Sequence, residues 1–314
     1  KEDIPVLLSV GKDQLYVWEK EEGMLHENDG AEILCAMCKG EHMERSQAKE
    51  GKIELTAACD GLLKVDNKGL KAVNGFGQMM IATRHGNFAV KKGDKLAGTR
   101  IIPLVIEEEK MTKAKEAAMA ATGNKPILNL LPFKHKKVGI VTTGNEVFYG
   151  RIKDTFTPVI EGKLAEFDTE IIDHVTWNDD DTKVTASILD MIHKGADIVV
   201  CTGGMSVDPD DKTPLAIKNT GADIVSYGAP VLPGAMFMLA YYQVTEGDDT
   251  RTVAIMGLPG CVMYAKRTIF DLVLPRVMAD DKVTAEELAA LGPGGLCLNC
   301  PVCTFPNCGF GKGG

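Results

Sequence analysis

From Lys136 to Val277 short apolar runs alternate with helical patterns, and this alternation constrains the fold more than any other feature of the chain. Val138–Thr142, Thr169–Val175, Ile198–Cys201 and Thr252–Met256 have the length and β-branched content of strands. Between and after them, Arg151–Glu166 (broken or bent at Pro158), Asp180–His193, Thr213–Asn219 and Cys261–Val277 read as helices, and Ile224–Val231 as a short hairpin-like piece. Regular β–α alternation predicts an α/β fold: a doubly wound, mostly parallel sheet with helices on both faces. The passage Asp197-Ile198-Val199-Val200-Cys201-Thr202-Gly203-Gly204 shows the unit in miniature. A buried strand runs into two glycines, which permit a sharp bend and close backbone approach to a ligand. An acidic stretch follows, and then Thr213-Pro214, read as a helix cap and first helical residue.

Residues 1–108 read as a smaller α+β domain of unassigned role. Its β-like pieces are Val6–Leu8, Gln14–Trp18, Lys52–Ala57, Leu62–Val65 and Ile101–Ile106, with Gly61, Asn67-Lys68-Gly69 and Lys92-Gly93-Asp94 as turns. One helix is expected from Gly30 to Lys39, capped by Asn28 or Asp29. Residues 109–135 read as a helix and linker, 136–280 as the α/β domain, and 281–314 as a Cys-rich C-terminal tail, of which 292–314 is too poor in apolar residues to build a core alone. The formal charge of −9 argues against a nucleic-acid surface, and no apolar run is long enough to span a membrane. Nine cysteines, four of them in the tail, do not form a secreted disulfide pattern, so a reduced, cytoplasmic protein is expected.

Four loops of the α/β domain carry the candidate chemistry. They are Thr142-Thr143-Gly144-Asn145-Glu146, Gly203-Gly204 with Asp208, Asp210 and Asp211, Leu232-Pro233-Gly234, and Gly257-Leu258-Pro259-Gly260. In a doubly wound sheet such loops converge on one crevice. Glycine-turn N–H groups suit a phosphate, and Glu146, Asp208 and Asp211 suit Mg²⁺ through oxygen ligands. Carboxylates repel a phosphate unless a cation lies between them, so metal and phosphate imply each other. Each feature also has a plainer account: a Gly-Gly or Pro-Gly pair is an ordinary turn, and Asp179-Asp180-Asp181 is a solvated helix cap. In the tail, Cys297, Cys300, Cys303 and Cys308 have a spacing that suits a [4Fe–4S] cluster or Zn²⁺, the plain alternative being redox-labile thiols without metal. Cys35-x-x-Cys38 lies in an apolar helical pattern and reads as buried thiols, the scattered aromatics read as core, and His85, His135, His174 and His193 show no partner by spacing.

Residues 136–278 resemble the molybdopterin-binding domain of molybdenum-cofactor biosynthesis proteins, the molybdopterin molybdotransferases and molybdopterin adenylyltransferases. Val138-Gly139-Ile140-Val141-Thr142-Thr143-Gly144-Asn145-Glu146-Val147 is similar to their first strand and turn. Thr202-Gly203-Gly204-Met205-Ser206-Val207 resembles the Gly-Gly-Val-Ser-Val loop, and Asp211-Lys212-Thr213-Pro214 the Asp-Val-Thr-Pro segment. Leu232-Pro233-Gly234 resembles Lys-Pro-Gly, and Gly257-Leu258-Pro259-Gly260 the Gly-Leu-Pro-Gly-Asn-Pro loop. The chain departs from the pattern at Asp154-Thr155-Phe156 (Asp-Ser-Asn in the family), at Cys261-Val262 (Asn-Pro), and at Leu232 (Lys).

The resemblance implies molybdopterin, or its adenylylated form, as ligand, with nucleotide, molybdate and Mg²⁺. Glu146 and Asp211 would be the catalytic carboxylates, joined by Asp208 as a metal ligand. Thr143, Gly144, Asn145, Gly203, Gly204, Ser206, Pro233, Gly234, Gly257, Pro259 and Gly260 would contact pterin or phosphate. A dimer or trimer, and a molybdenum or tungsten enzyme as recipient, are implied as partners. The expected activity is Mg²⁺-dependent molybdate insertion or adenylyl transfer. The alternatives are a non-catalytic carrier of the finished cofactor and a nucleotide pyrophosphatase built on the same domain, as in the competence-damage proteins.

Overall fold

The computed structural model describes residues 3–11, 21–205, 211–247 and 249–313. The chain divides into two units, one of Lys1–Thr56, Asp66–Arg84 and Lys95–Leu128, the other of Ala57–Val65, His85–Asp94 and Asn129–Gly314. Segments 57–65 and 85–94, expected within a single front domain, thus belong with the second unit. Their strands, Gly61–Val65 and Phe88–Val90, pair with each other, and Gly61–Val65 also pairs with the strand that begins at Leu128.

The first unit opens with α1 (Ile4–Ser9), then β1 (Met24–His26), α2 (Glu27–Cys38), β2 (Met43–Arg45) and β3 (Lys52–Ala57). The expected strand Val6–Leu8 is therefore helical, with Pro5 in the first turn, where a missing N–H costs nothing. The cap of α2 is His26, whose Nδ1 accepts from Asn28 N at 3.2 Å, and not Asn28 or Asp29. Asn28 Oδ1 instead accepts from Gly51 N at 3.0 Å. Gln14–Trp18 lies outside the described residues, apart from which the unit is built around Leu34, Ile53, Leu55, Ile101, Ile106 and Met111, all buried.

Next come β4 (Gly61–Val65), α3 (Asn67–Asn74), β5 (Met79–Thr83), β6 (Phe88–Val90), β7 (Lys95–Ile101), β8 (Val105–Glu107), α4 (Glu108–Thr122) and β9 (Leu128–Pro132). Asn67-Lys68-Gly69 is thus the first turn of a helix and not a loop, because Asp66 caps it by accepting from Gly69 N at 2.8 Å. In the first unit β2, β3, β7 and β5 form a four-stranded sheet in that order, and β1 pairs with β8. The small sheet β6-β4-β9 belongs to the second unit.

The rest of the second unit is β10 (Lys136–Thr143), α5 (Asn145–Phe148), α6 (Phe156–Leu164), β11 (Thr169–Trp177), α7 (Asp181–His193), β12 (Ile198–Thr202), α8 (Thr213–Asn219), β13 (Asp223–Tyr227), β14 (Met238–Glu246), β15 (Asp249–Leu258), α9 (Ile269–Met278) and α10 (Ala285–Ala289). Its main sheet runs β11-β10-β12-β15-β14-β13. The first four strands are parallel, and β14 and β13 add an antiparallel edge. Alternate residues of β10 feed two cores, as a sheet covered on both faces requires. Val138 and Ile140 pack with α6 and α9, whereas Val141 packs with α7 and α8. The mostly parallel α/β architecture is therefore as the alternation predicts.

Two helices differ from expectation. Pro158 falls in the first turn of α6, so the helix starts at Phe156 rather than Arg151. The run Cys261–Val277 is split into a 3₁₀ turn, Gly260–Met263, and α9. Thr268 imposes the break by forming a reciprocal cap with Asp271: Thr268 N donates to Asp271 Oδ2 at 2.7 Å, and Phe270 N to Thr268 Oγ1 at 3.2 Å. Asp271 also takes Lys163 Nζ at 2.7 and 2.8 Å in a buried ion pair that ties α6 to α9.

Candidate functional site at the carboxyl edge of the sheet

Strand register brings the expected loops to one edge. Thr142 of β10 lies level with Thr202 of β12, and Thr202 with Leu258 of β15, so the turns that follow these strands leave side by side. β14 runs the other way, and its first residue, Met238, pairs with Gly257. The Leu232-Pro233-Gly234 loop therefore reaches the same edge by preceding its strand. The chain passes from β10 to β11 on one side and returns to β12 on the other. The crevice between the β10 and β12 loops is thus the topological switch point, where ligands bind in open α/β sheets.

The glycines there fall into two groups. A Cβ on Gly203 (φ +81°) would lie 2.0 Å from the Thr143 carbonyl oxygen, and one on Gly204 (φ +53°) 2.9 Å from Thr213 Oγ1. A Cβ on Gly257 would lie 2.7 Å from Met205 Sδ, and one on Gly234 2.4 Å from Ile269 Cγ2. These four are glycine because neighbouring loops pack against them, so any ligand contact they make is through backbone amides. Among the described residues, the atom near a Cβ at Gly144 (φ +135°) is Glu146 Oε2 at 4.0 Å, and nothing lies within 4 Å of a Cβ at Gly260. These two leave open space beside the backbone.

Thr143 and Thr213 lock the β10 and β12 turns together. Their hydroxyls are 3.0 Å apart, and Thr213 Oγ1 donates to Gly203 O at 2.9 Å. Thr213 is thus not a helix cap. Lys212 holds that position without a side-chain bond, and Pro214 is the second helical residue rather than the first. Beneath them Thr142 Oγ1 lies 3.1 Å from His174 Nε2 and 3.2 Å from Thr157 Oγ1, which donates to Asp154 Oδ2 at 2.5 Å. Asp154 also caps α6, accepting from Phe156 N at 2.8 Å. His174 therefore has partners that spacing does not reveal, as does His135, whose pKa Asp168 raises through a 3.0 Å contact.

Glu146 is exposed in the short helix α5, and Asp211 is half-buried just before Lys212. Both are hard oxygen donors on the same edge, and in type they fit a divalent cation such as Mg²⁺. Ser206, Asp208 and Asp210 lie outside the described residues. Among the described residues no three His, Cys, Asp or Glu side chains are gathered to hold a metal ion. Asn145 is half-buried beside Gly144, and Pro259 is buried beneath Gly260.

Three further residues join the edge without a sequence signal of their own. Asn178, directly after β11, has a buried side-chain oxygen with no hydrogen-bond partner among the described residues. Such an atom costs about 1–3 kcal/mol unless a donor reaches it. Phe148 and Tyr149, expected in the core, are exposed at 38% and 58%. Phe148 stacks on Trp177 at 6.1 Å, and the Arg151 guanidinium lies 5.4 Å over the Tyr149 ring. Phe148 and Tyr149 meet edge to face at 80°, so the edge presents two exposed rings and a cation close to Gly144 in sequence. Cys35 and Cys38 play no part here: both are buried thiols in the first unit, and burial pushes Cys38 up to about 12.

Comparison with known proteins follows the same boundaries. Residues 139–279 match the family model described as a probable molybdopterin binding domain. A CinA-like protein of Mycobacterium tuberculosis is 34% identical over 77 residues, which cover 24% of this chain and 18% of that protein. The chain thus spans about a fifth of the length of the curated relatives it matches. Among solved structures, the tungsten cofactor synthesizing protein MoaB from Pyrococcus furiosus aligns at 21% identity with a TM-score of 0.35, covering 47% of this chain and 89% of that one. The protein CinA from Thermoplasma acidophilum aligns at 16% identity with a TM-score of 0.35, covering 46% and 98%. No helix among the described residues is long and apolar enough to cross a membrane.

Proposed function

We propose, from the premise that residues 139–279 form a domain of the molybdopterin-binding family, that this chain binds molybdopterin in the crevice between the β10 and β12 loops and carries out a Mg²⁺-dependent step of cofactor maturation on it. The step is molybdate insertion or adenylyl transfer. The observation that carries this reading is the switch-point crevice itself, with the positive-φ turns of Gly144 and Gly203-Gly204 on its two sides and open backbone at Gly144 and Gly260. Backbone amides there suit the terminal phosphate of the pterin. The exposed Phe148 and Tyr149 rings offer aromatic contact to its ring system, and Asn178 Oδ1 an acceptor for a ring N–H.

Glu146 and Asp211 are the residues that would hold Mg²⁺, with Asp208 completing the set. Bound there, Mg²⁺ neutralises phosphate charge and lines up the displaced group. The protein's own contribution is positioning: the Thr143–Thr213–Gly203 contacts fix the two turns relative to each other, and Arg151 lies over the exposed Tyr149 ring. A carrier without catalysis is the second reading. It is favoured by Leu232, which stands where the resemblance expects a lysine and whose backbone is already bonded to Gly295 and Cys297.

Incubation with molybdopterin, Mg-ATP and molybdate, followed by chromatography of the oxidised pterins, tests both. An adenylylated or molybdenum-loaded product, lost in Asp211→Asn while pterin binding persists, supports the transferase. Pterin bound and unchanged supports the carrier. No pterin bound overturns both, and AMP released from a free dinucleotide would instead identify a pyrophosphatase.

A further inference from the structure

The C-terminal segment is built into the second unit. Leu232 N donates to Gly295 O at 2.8 Å, and Cys297 N to Leu232 O at 2.8 Å, so the segment pairs with the Pro233-Gly234 loop. Gly311 N donates to Gly294 O at 3.0 Å, which closes residues 294–311 into a loop at its base. Phe310 is buried in the main core of the unit, and Phe305 packs against that core with the Arg267 guanidinium 5.2 Å over its ring. Inside this closed loop are Cys297, Cys300, Cys303 and Cys308, all free thiols. All four, together with Cys261, line a single cavity of about 490 Å³. Arg267 and Lys266 line it too.

We propose that Cys297, Cys300, Cys303 and Cys308 hold a [4Fe–4S] cluster in this cavity. Three thiols spaced C-x₂-C-x₂-C within one loop form the run that takes such clusters. A tetrahedral zinc site more often separates two pairs by a dozen or more residues. A cluster with four thiolates is anionic. Of the two cations lining the cavity, Arg267 is paired with Glu166 and Asp271, whereas Lys266 donates to the Pro301 carbonyl within the cysteine loop and adds positive charge there. Much of the remaining lining is apolar, with Leu296, Phe305 and Phe310 beside Asn299 and Thr304. In the arrangement described, no three thiols converge on a common ion, and Cys300 and Cys303 are exposed. Cluster binding therefore turns these two inward. Pro233 and Cys261 also line the cavity, so the cluster lies against the loops that end in Gly234 and begin at Gly260. The inference does not rest on the pterin reading, since none of the four ligands belongs to the pterin crevice.

The test uses the full chain, purified without oxygen and reconstituted with equal amounts of ferrous and ferric iron and with sulfide. The expected result is about four iron and four sulfide per chain, with visible absorption bleached by dithionite. The Cys300→Ala/Cys303→Ala variant removes two exposed thiols, so it should unfold at the temperature of the metal-free wild type yet lose the absorption. Cys261→Ser should keep it. Binding of zinc in place of iron, no iron after reconstitution, or a full cluster in the double variant would each overturn the assignment. Pterin binding measured on the same samples distinguishes failure here from failure of the crevice.

Discussion

The glycines of the candidate site separate packing from ligand contact, and substitution reads the two roles apart. Gly203→Ala places a methyl against the Thr143 carbonyl at a backbone angle that side chains avoid, and should cost about 3 kcal/mol of stability, seen as a lower thermal unfolding midpoint. Gly260→Ala meets nothing within 4 Å among the described residues and should leave stability within about 0.5 kcal/mol. Its expected effect is weaker molybdopterin binding, and unchanged binding would remove Gly260 from the site. Asn178→Ala discards an acceptor that finds no donor among the described residues. Stability should therefore hold or rise, by up to about 1–3 kcal/mol, while pterin binding falls; a large stability loss with normal binding would make Asn178 purely structural. Neither Asn178 nor the exposed Phe148 and Tyr149 has a local sequence signal, because burial and exposure are set by what lies across the fold.

At the scale of elements, the contact between α6 and α9 depends on a buried charge. Lys163→Met removes the cation and leaves the Asp271 carboxylate buried beside Arg267, which should destabilise the chain by about 3–5 kcal/mol in denaturant unfolding. A smaller change would mean that Arg267 alone satisfies Asp271. The region around α10 responds to pH through Glu287. Burial pushes its carboxyl up, but the Arg276 guanidinium at 2.9 Å and the Thr284 N–H at 3.0 Å outweigh this and hold it below the usual carboxylate range. A lowered folded-state pKa stabilises the fold above the unfolded-state value, and the gain disappears as pH falls through the folded value. The stability difference between wild type and Glu287→Gln should therefore be largest near neutral pH and shrink in acid. A difference constant across that range would rule out the linkage.

For the molecule as a whole, the C-terminal segment completes the core of the second unit. Phe310, four residues before the last, is 4% exposed there, and a Cβ on Gly311 would lie 2.3 Å from Leu272 Cδ2. Phe310→Ala should cost about 3–5 kcal/mol, measurable by chemical unfolding. A merely tethered tail would show no loss. Composition alone points the other way, since 292–314 has too few apolar residues for a core of its own; it borrows one from α9 and β6.

The sequence by itself determined the parallel half of the sheet and the turns of the crevice. Strand, glycine turn and helix follow one another within about twenty residues, and periodicity and positive-φ demands are local properties. The family resemblance of 136–278 rests on those same local motifs and agrees with the matched span 139–279. Only the tertiary structure decided the rest. The antiparallel edge at β14, the transfer of 57–65 and 85–94 to the second unit, and the docking of the cysteine loop beside Pro233 all join residues distant in the chain. Which partner such a segment finds depends on the surface left uncovered once the local elements have packed, and no window of sequence contains that surface.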